Sequence, residues 1–379
     1  MEANIAKKPR VILVDPSRFT APYDAELAEA LASAGADVVC SVRPLREGEI
    51  EEFPARVASP MFYRSFDRPD FLPRILRKPA KALAHLMGLS RLVVASWRRP
   101  VDVVHFQWAV LPVFDALAMW ILRRRCKVVI TVHDTVPFNG QKISFLQNFG
   151  FDLPIRAADK VIVHTTAARD TLIARGTPPD KVDVVPHGPL TLNAAPPARP
   201  VGTEDDRFVF TLFGQLKPYK GIDVLIDAVA KVHRDIRRQA RFIVAGGAFM
   251  DMEPIKSAVR ERGLDGVVEL QIGHQTEDQM AVLFDKTDCF IFPYRQIDAS
   301  GVFFLTAALR KWMIASRIGV FADQIEEGVT GTLVPPADSN ALARAITGTI
   351  EDEPKPSGVS ILPSWQEIGL MTLNVYRAA

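Results

Sequence analysis

Residues 207–229 read RFVFTLFGQLKPYKGIDVLIDAV: a short apolar run rich in phenylalanine and β-branched residues, a glycine, a lysine-bearing turn, then apolar residues at helical spacing. A strand, a tight turn and a helix in that order make half of a βαβ unit. The theme recurs on both sides. Toward the N-terminus stand RVILVD (10–15), ADVVCSV (36–42), VDVVHF (101–106), KVVITVHD (127–134), KVIVHT (160–165) and VDVVPHG (182–188). Toward the C-terminus stand RFIVAGG (241–247), VVELQIG (267–273), CFIFPY (289–294), WMIAS (312–316) and GTLVPP (331–336). Such alternation predicts an α/β chain with two Rossmann-like, doubly wound parallel sheets.

At about 150 residues per domain, 379 residues allow two or three domains, and the pattern favours two. The segment after VDVVPHG, with its prolines and small residues and no apolar period, reads as a linker. The expected boundaries are therefore 1–189 for the first domain, 190–206 for the linker and 207–360 for the second domain. Residues 361–379 form a C-terminal helix expected to pack back on the first domain. Two such domains facing each other make a cleft, with the ligand-binding loops after the strands.

The apolar share of 48% and charged share of 24% are those of a globular protein. With 46 basic residues against 44 acidic ones the chain lacks the broad cationic face of a nucleic-acid binder, so none is expected as a partner. Cys40, Cys126 and Cys289 lie far apart in apolar runs without metal-ligand spacing and read as core thiols. The polar start and the lack of any run of about 20 apolar residues give a cytoplasmic expectation.

Chemistry concentrates in two loops. In FGQLKPYKG (213–221), Gly214 permits close backbone approach, and Lys217 and Lys220 place two cations before a helix whose first N–H groups favour an anion. A diphosphate fits there; an ordinary turn with solvated lysines is the plainer reading. In PYRQIDASGVFFLTAAL (293–309), Asp298 precedes a helix that Ser300 and Gly301 open, offering a hydroxyl and free N–H groups to sugar and phosphate. The plainer reading is a helix cap.

Together these segments resemble the donor-binding half of glycosyltransferase family 4, retaining enzymes of the GT-B fold. The family holds the donor diphosphate with Gly-Arg-x-x-x-x-Lys-Gly, which stands here as Gly214-Gln215-Leu216-Lys217-Pro218-Tyr219-Lys220-Gly221. Gln215 lacks the arginine's charge and fork, and Lys217 supplies a cation two positions on. The family's Glu-x7-Glu, whose carboxylates contact the donor sugar and the nucleotide ribose, appears as Asp298 and Thr306. By resemblance Asp298 and His133, the latter at the end of KVVITV, are the catalytic residues. Gly214, Gln215, Lys217, Lys220, Ser300, Gly301, Val302 and Thr306 hold the nucleotide sugar. Further likeness lies in HDTVPF (133–138), 158–176, 180–188 and Arg310 to Ile346. A bare strand-end histidine remains the alternative for His133. His187-Gly188 reads as structural, and His105 and His164 as core or strand-end residues.

The resemblance implies transfer of a hexosyl group from a nucleoside-diphosphate sugar to a glycan or polyprenyl-linked saccharide, with retention and no obligatory metal or other cofactor. The setting would be bacterial exopolysaccharide or lipid-linked glycan assembly. The loop DPSRFTAPYDAELAEAL (15–31) replaces the glycine-rich loop of many relatives: either Ser17, Arg18 and Thr20 approach the reacting sugar or acceptor, or the loop is a solvated turn capped by Asp24. Residues 74–99 carry seven Arg or Lys and no acid through Arg99, interleaved with bulky apolar residues. They read as an amphipathic helix on an anionic membrane, placing the enzyme peripherally on the inner face of the plasma membrane, or as a surface helix whose apolar face joins the core. A non-catalytic GT-B subunit that binds sugar nucleotide or glycan for a partner is the rival function; a sugar-nucleotide epimerase lacks placeable carboxylates.

Overall fold

The computed structural model describes residues 8–47, 49, 51–54, 56–64, 72–135, 149–192, 194–195, 206–356 and 362–379. The chain divides into two compact units, Met1–Gly188 with Pro363–Ala379, and Pro189–Leu362.

The first unit holds β1 (Arg10–Asp15), α1 (Ala21–Ser33), β2 (Asp37–Val42), β3 (Ala58–Pro60), α2 (Arg74–Arg98), β4 (Val103–Phe106), α3 (Pro112–Leu122), β5 (Lys127–Thr131), α4 (Leu153–Ala157), β6 (Lys160–Val163), α5 (Thr166–Ala174) and β7 (Val182–Val184). Its seven strands are parallel and ordered β3-β2-β1-β4-β5-β6-β7. The winding reverses between β1 and β4, so the loops after those strands flank a topological switch point, where open α/β sheets take their ligands. Val11, Leu13 and Cys40 face α1, while Val14, Val104 and Phe106 face α2 and α3.

The second unit holds β8 (Phe208–Phe213), α6 (Ile222–Lys231), α7 (Arg234–Arg237), β9 (Ala240–Gly246), α8 (Glu253–Glu261), β10 (Val268–Ile272), α9 (Glu277–Lys286), β11 (Cys289–Phe292), α10 (Gly301–Ala308), β12 (Trp312–Ser316), α11 (Gly319–Gln324), β13 (Gly331–Val334) and α12 (Ser339–Asp352). Its six parallel strands run β10-β9-β8-β11-β12-β13, with the reversal between β8 and β11. Both donor-loop candidates therefore leave the two strands that flank the switch point. Of the linker segment, Leu190 and Leu192 pack against the core of this unit; residues 193 and 196–205 lie outside the described ones.

The last helix, α13 (Trp365–Ala378), opens with a reciprocal cap between Ser364 and Glu367 and packs on α1 of the first unit. Close approach depends on small residues: a Cβ on Gly369 would sit 2.8 Å from the Ala30 carbonyl oxygen. Trp365 lies over Gly188 in the same manner, 2.6 Å from where a Cβ would stand.

Every apolar run read as a strand forms one. The three-residue β3 escaped the pattern, because Ala58-Ser59-Pro60 has no apolar period and its edge position demands none.

Candidate functional site

The turn after β8 is shaped by glycines. Gly214 has φ +115° and Gly221 φ +67°, left-handed conformations that side chains other than glycine's resist. Lys220 folds beneath Gly214: its Nζ donates to the Phe213 carbonyl at 3.0 Å and to the Tyr294 hydroxyl. A Cβ on Gly214 would lie 2.9 Å from that ammonium and 3.2 Å from Val302 Cγ2. Thus the missing side chain is what lets the lysine and α10 meet under one backbone turn. Lys220 is only 4% exposed, and burial, with the charge of Lys217 beside it, pulls its ammonium down to about 7. Lys217 is 9% exposed, with its ammonium over the Phe249 ring. The two lysines are therefore not solvated.

The loop after β11 meets this turn through Tyr294, whose hydroxyl receives the Lys220 ammonium and hydrogen-bonds Ser300. Ser300 also caps α10, accepting from the Phe303 N–H at 3.5 Å. Arg295 grips Asp223 in the first turn of α6 at 2.9 and 2.6 Å and donates to the Pro218 carbonyl. Asp298 is half-buried, and its backbone carbonyl accepts from Val320 N at 3.0 Å. Gly214, Lys220, Ser300 and Val302 are therefore gathered at one place, with Gly301 exposed at the head of α10 and Lys217 adjoining.

One expectation needs correction. Thr306 is wholly buried and its hydroxyl donates to the Val302 carbonyl at 2.8 Å, so the helix itself consumes the group expected to meet a ribose. Gln215 projects to the surface between Gly214 and the buried Leu216, and offers no charge where the family pattern has an arginine.

In the first unit His133 stands two residues after β5, stacked on Trp108 at 5.2 Å and edge-on to Tyr23 at 5.3 Å. Its Nδ1 lies 3.1 Å from His164 Nε2, and His164 Nδ1 lies 2.9 Å from the Val185 carbonyl. A carbonyl only accepts, so His164 carries its proton on Nδ1, and its Nε2 must accept from His133 Nδ1–H. The remaining nitrogen of His133 faces the side-chain amide of Gln107 at 3.1 Å. Burial, followed by the neighbouring His164, His187 and His105, holds the His133 imidazole well below its ordinary pKa, so the ring is neutral and its Nε2 accepts. Satisfying it requires the Gln107 amide turned so that its nitrogen, which otherwise has no partner, replaces the Oε1 that stands there. His164 is therefore more than a strand-end residue: it sets the tautomer of His133. His105 is a core residue as expected, bridging Tyr376 and Thr131 at 2.7 Å each.

The loop after β1 closes on itself. Asp15 accepts from the N–H groups of Ser17 and Thr20, and Thr20 Oγ1 donates to Asp24 at 3.1 Å. Asp24 is buried and does not cap a solvated turn; burial and then Asp15 push its carboxyl well above the ordinary range. Arg18 is spent on Glu51 and the Arg43 carbonyl.

Comparison with known proteins follows this geometry. Residues 198–360 match the family described as Glycosyl transferases group 1, and residues 23–189 match Glycosyltransferase Family 4. The chain belongs to the family 4 type of glycosyltransferases. Among curated relatives, D-inositol 3-phosphate glycosyltransferase of Acidothermus cellulolyticus is 26% identical over 51% of this chain and 46% of its own length. D-inositol 3-phosphate glycosyltransferase 1 of Catenulispora acidiphila is 27% identical over 59% of this chain and 58% of its own. The chain thus spans about half the length of the first of these relatives. Solved structures of the same fold include Anabaena HepE in complex with UDP and glucose, with a TM-score of 0.66, 19% identity and 97% of each chain covered. Sucrose-phosphate synthase from Thermosynechococcus elongatus has a TM-score of 0.70, 20% identity and 98% of each chain covered.

The sequence did not reveal Tyr294 and Arg295, which tie the two candidate loops together; the signal was an aromatic and a cation directly after a strand-ending proline. The tightness of that junction is testable. A Cβ on Gly221 would stand 2.0 Å from the Pro293 carbonyl oxygen, whereas Gly263, at a similar φ of +63°, has nothing within 4 Å. Gly263→Ala should cost about 1 kcal/mol, the left-handed penalty alone, and Gly221→Ala at least about 2 kcal/mol more. Urea denaturation midpoints compare the two; equal losses would show that the loops do not abut.

Proposed function

We propose that this glycosyltransferase moves a hexosyl group from a nucleoside-diphosphate sugar to a saccharide acceptor with retention at the anomeric carbon. The supporting observation is the buried Lys220 beneath Gly214 at the head of α6, joined through Tyr294 to the start of α10. A diphosphate there receives Lys217, Lys220 and the first N–H groups of α6, which neutralise it as it leaves. Asp298 holds a hydroxyl of the sugar. The acceptor oxygen bonds to the anomeric carbon on the face from which the phosphate oxygen departs, and the acceptor's proton passes to that oxygen. On this reading His133 contacts the transferred sugar, and no metal is required.

The structural neighbour that holds UDP and glucose makes UDP-glucose the first donor to try. A thermal-shift and hydrolysis screen of UDP-, GDP- and ADP-sugars should show stabilisation and slow hydrolysis with one of them. The uncharged Gln215 and the committed Thr306 hydroxyl favour a second reading, a sugar-nucleotide-binding subunit without turnover. Binding without hydrolysis or transfer would select it, and absence of any binding would refute both.

The acceptor is proposed to be a lipid-linked saccharide at the cytoplasmic face of the plasma membrane. One face of α2 does join the core through Leu89 and Leu92, and Gly88 admits the Phe62 ring. The other leaves Ile75 83%, Leu83 54% and Trp97 49% exposed, on a helix that also carries Arg77, Lys78 and Lys81. No described helix is long and apolar enough to cross a membrane. At about 1 kcal/mol per cation, changing Arg77, Lys78 and Lys81 to glutamate should abolish co-sedimentation with phosphatidylglycerol vesicles. Wild-type indifference to vesicle charge would leave a soluble acceptor.

A further inference from the structure

At the ends of the strands opposite those loops, the first unit has a groove of about 660 Å³ between the sheet edge and the last turns of α2. Its cations are Arg10, Arg56, Arg91, Arg98 and Arg99, and Asp37 is its one carboxylate. Arg10 is held by Asp37 at 3.2 Å and by the Pro100 carbonyl, and Arg91 by the Met61 carbonyl. Asp102, at the same edge, accepts the Arg10 backbone N–H. The side chains of Arg56, Arg98 and Arg99 are exposed and make no hydrogen bond or ion pair among the described residues. The carboxyl end of α2 contributes about half a negative charge, far less than the excess of arginine over carboxylate. Concentrating arginines against their mutual repulsion, around a space that fits a phosphate and the group it is attached to, is unfavourable without an anion.

We propose that this groove binds a phosphate group, distinct from the diphosphate of the donor loop. Two of its arginines, Arg10 and Arg91, are fixed by hydrogen bonds and give the site a rigid floor, while Arg56, Arg98 and Arg99 supply planar forks that match phosphate oxygens in pairs. The six residues of β1 set it about 20 Å from the loop that follows that strand. The phosphate is either a soluble phosphoester or a lipid headgroup, the latter met by Val94, which lines the groove and is 46% exposed.

The test uses full-length protein carrying Lys217→Ala and Lys220→Ala, so that the donor loop does not contribute. Inorganic pyrophosphate is titrated by calorimetry, and vesicles of phosphatidylcholine with or without phosphatidylglycerol are tested by co-sedimentation. Adding Arg56→Gln, Arg98→Gln and Arg99→Gln, all at exposed positions, should weaken pyrophosphate binding about a hundredfold, about a factor of five per arginine. Pyrophosphate binding without vesicle binding supports the soluble source; groove-dependent vesicle binding that pyrophosphate competes away supports the headgroup. No pyrophosphate binding, or an equal loss from Arg77→Gln, Lys78→Gln and Lys81→Gln, would overturn the site.

Discussion

Replacing Lys217 and Lys220 together by alanine is expected to lower affinity for a nucleoside diphosphate about a thousandfold. Each charge-assisted hydrogen bond contributes about 1.5–3 kcal/mol, and the two lysines act on the same group. The same site predicts an uncommon pH dependence. Lys220 is a base whose free-state pKa is lowered to about 7, first by burial and then by Lys217. A bound diphosphate favours the charged form and raises that pKa. Affinity should therefore be full below about pH 7 and fall by up to about tenfold per unit as pH rises through it, until the pKa of the complex is reached. Calorimetry between pH 6 and 9 reads both effects. Wild-type affinity in the double variant would remove the phosphate role of the loop. A flat profile in the wild type would show that Lys220 is already charged in the free protein.

The parts of this candidate site that the sequence shows are local. Gly214, Lys217, Lys220, Ser300 and Gly301 lie within a few residues of strand ends, and a strand followed by glycine and an amphipathic helix has few alternatives. What escaped is what depends on partners distant in sequence. The direction of the Lys220 side chain is set by Tyr294, 74 residues away. The tautomer of His133 is set by a carbonyl beyond His164 that nothing in either local pattern names. Asp24 sat at a helix start, where a cap is the usual role, yet pairing with Asp15 buried it. Helix α2 shows a third kind of difficulty: its sequence supported a core face and an exposed apolar face equally, and the structure has both. A membrane-facing stripe and a core stripe use the same residues, so only the packing of Leu89 and Leu92 separates them.

Asp298→Ala is expected to reduce turnover by about a hundred- to a thousandfold, the usual loss on removing a group that acts on the reacting sugar, while free-nucleotide affinity changes by less than about twofold. The separation is expected because the loop is held by its backbone. The Asp298 carbonyl accepts from Val320 N, and Gly319 seats against the Ile297 carbonyl, where a Cβ would approach to 2.1 Å. Neither contact involves the carboxylate, so both survive its removal. Asp298→Glu carries the same charge on a longer arm and restores the residue of the family pattern, so it should keep most of the turnover. Steady-state kinetics with the preferred nucleotide sugar, beside calorimetry with the free nucleotide, distinguishes the outcomes. Unchanged turnover in Asp298→Ala would take the carboxylate off the sugar, and a matching loss of nucleotide affinity would show that the side chain holds the loop.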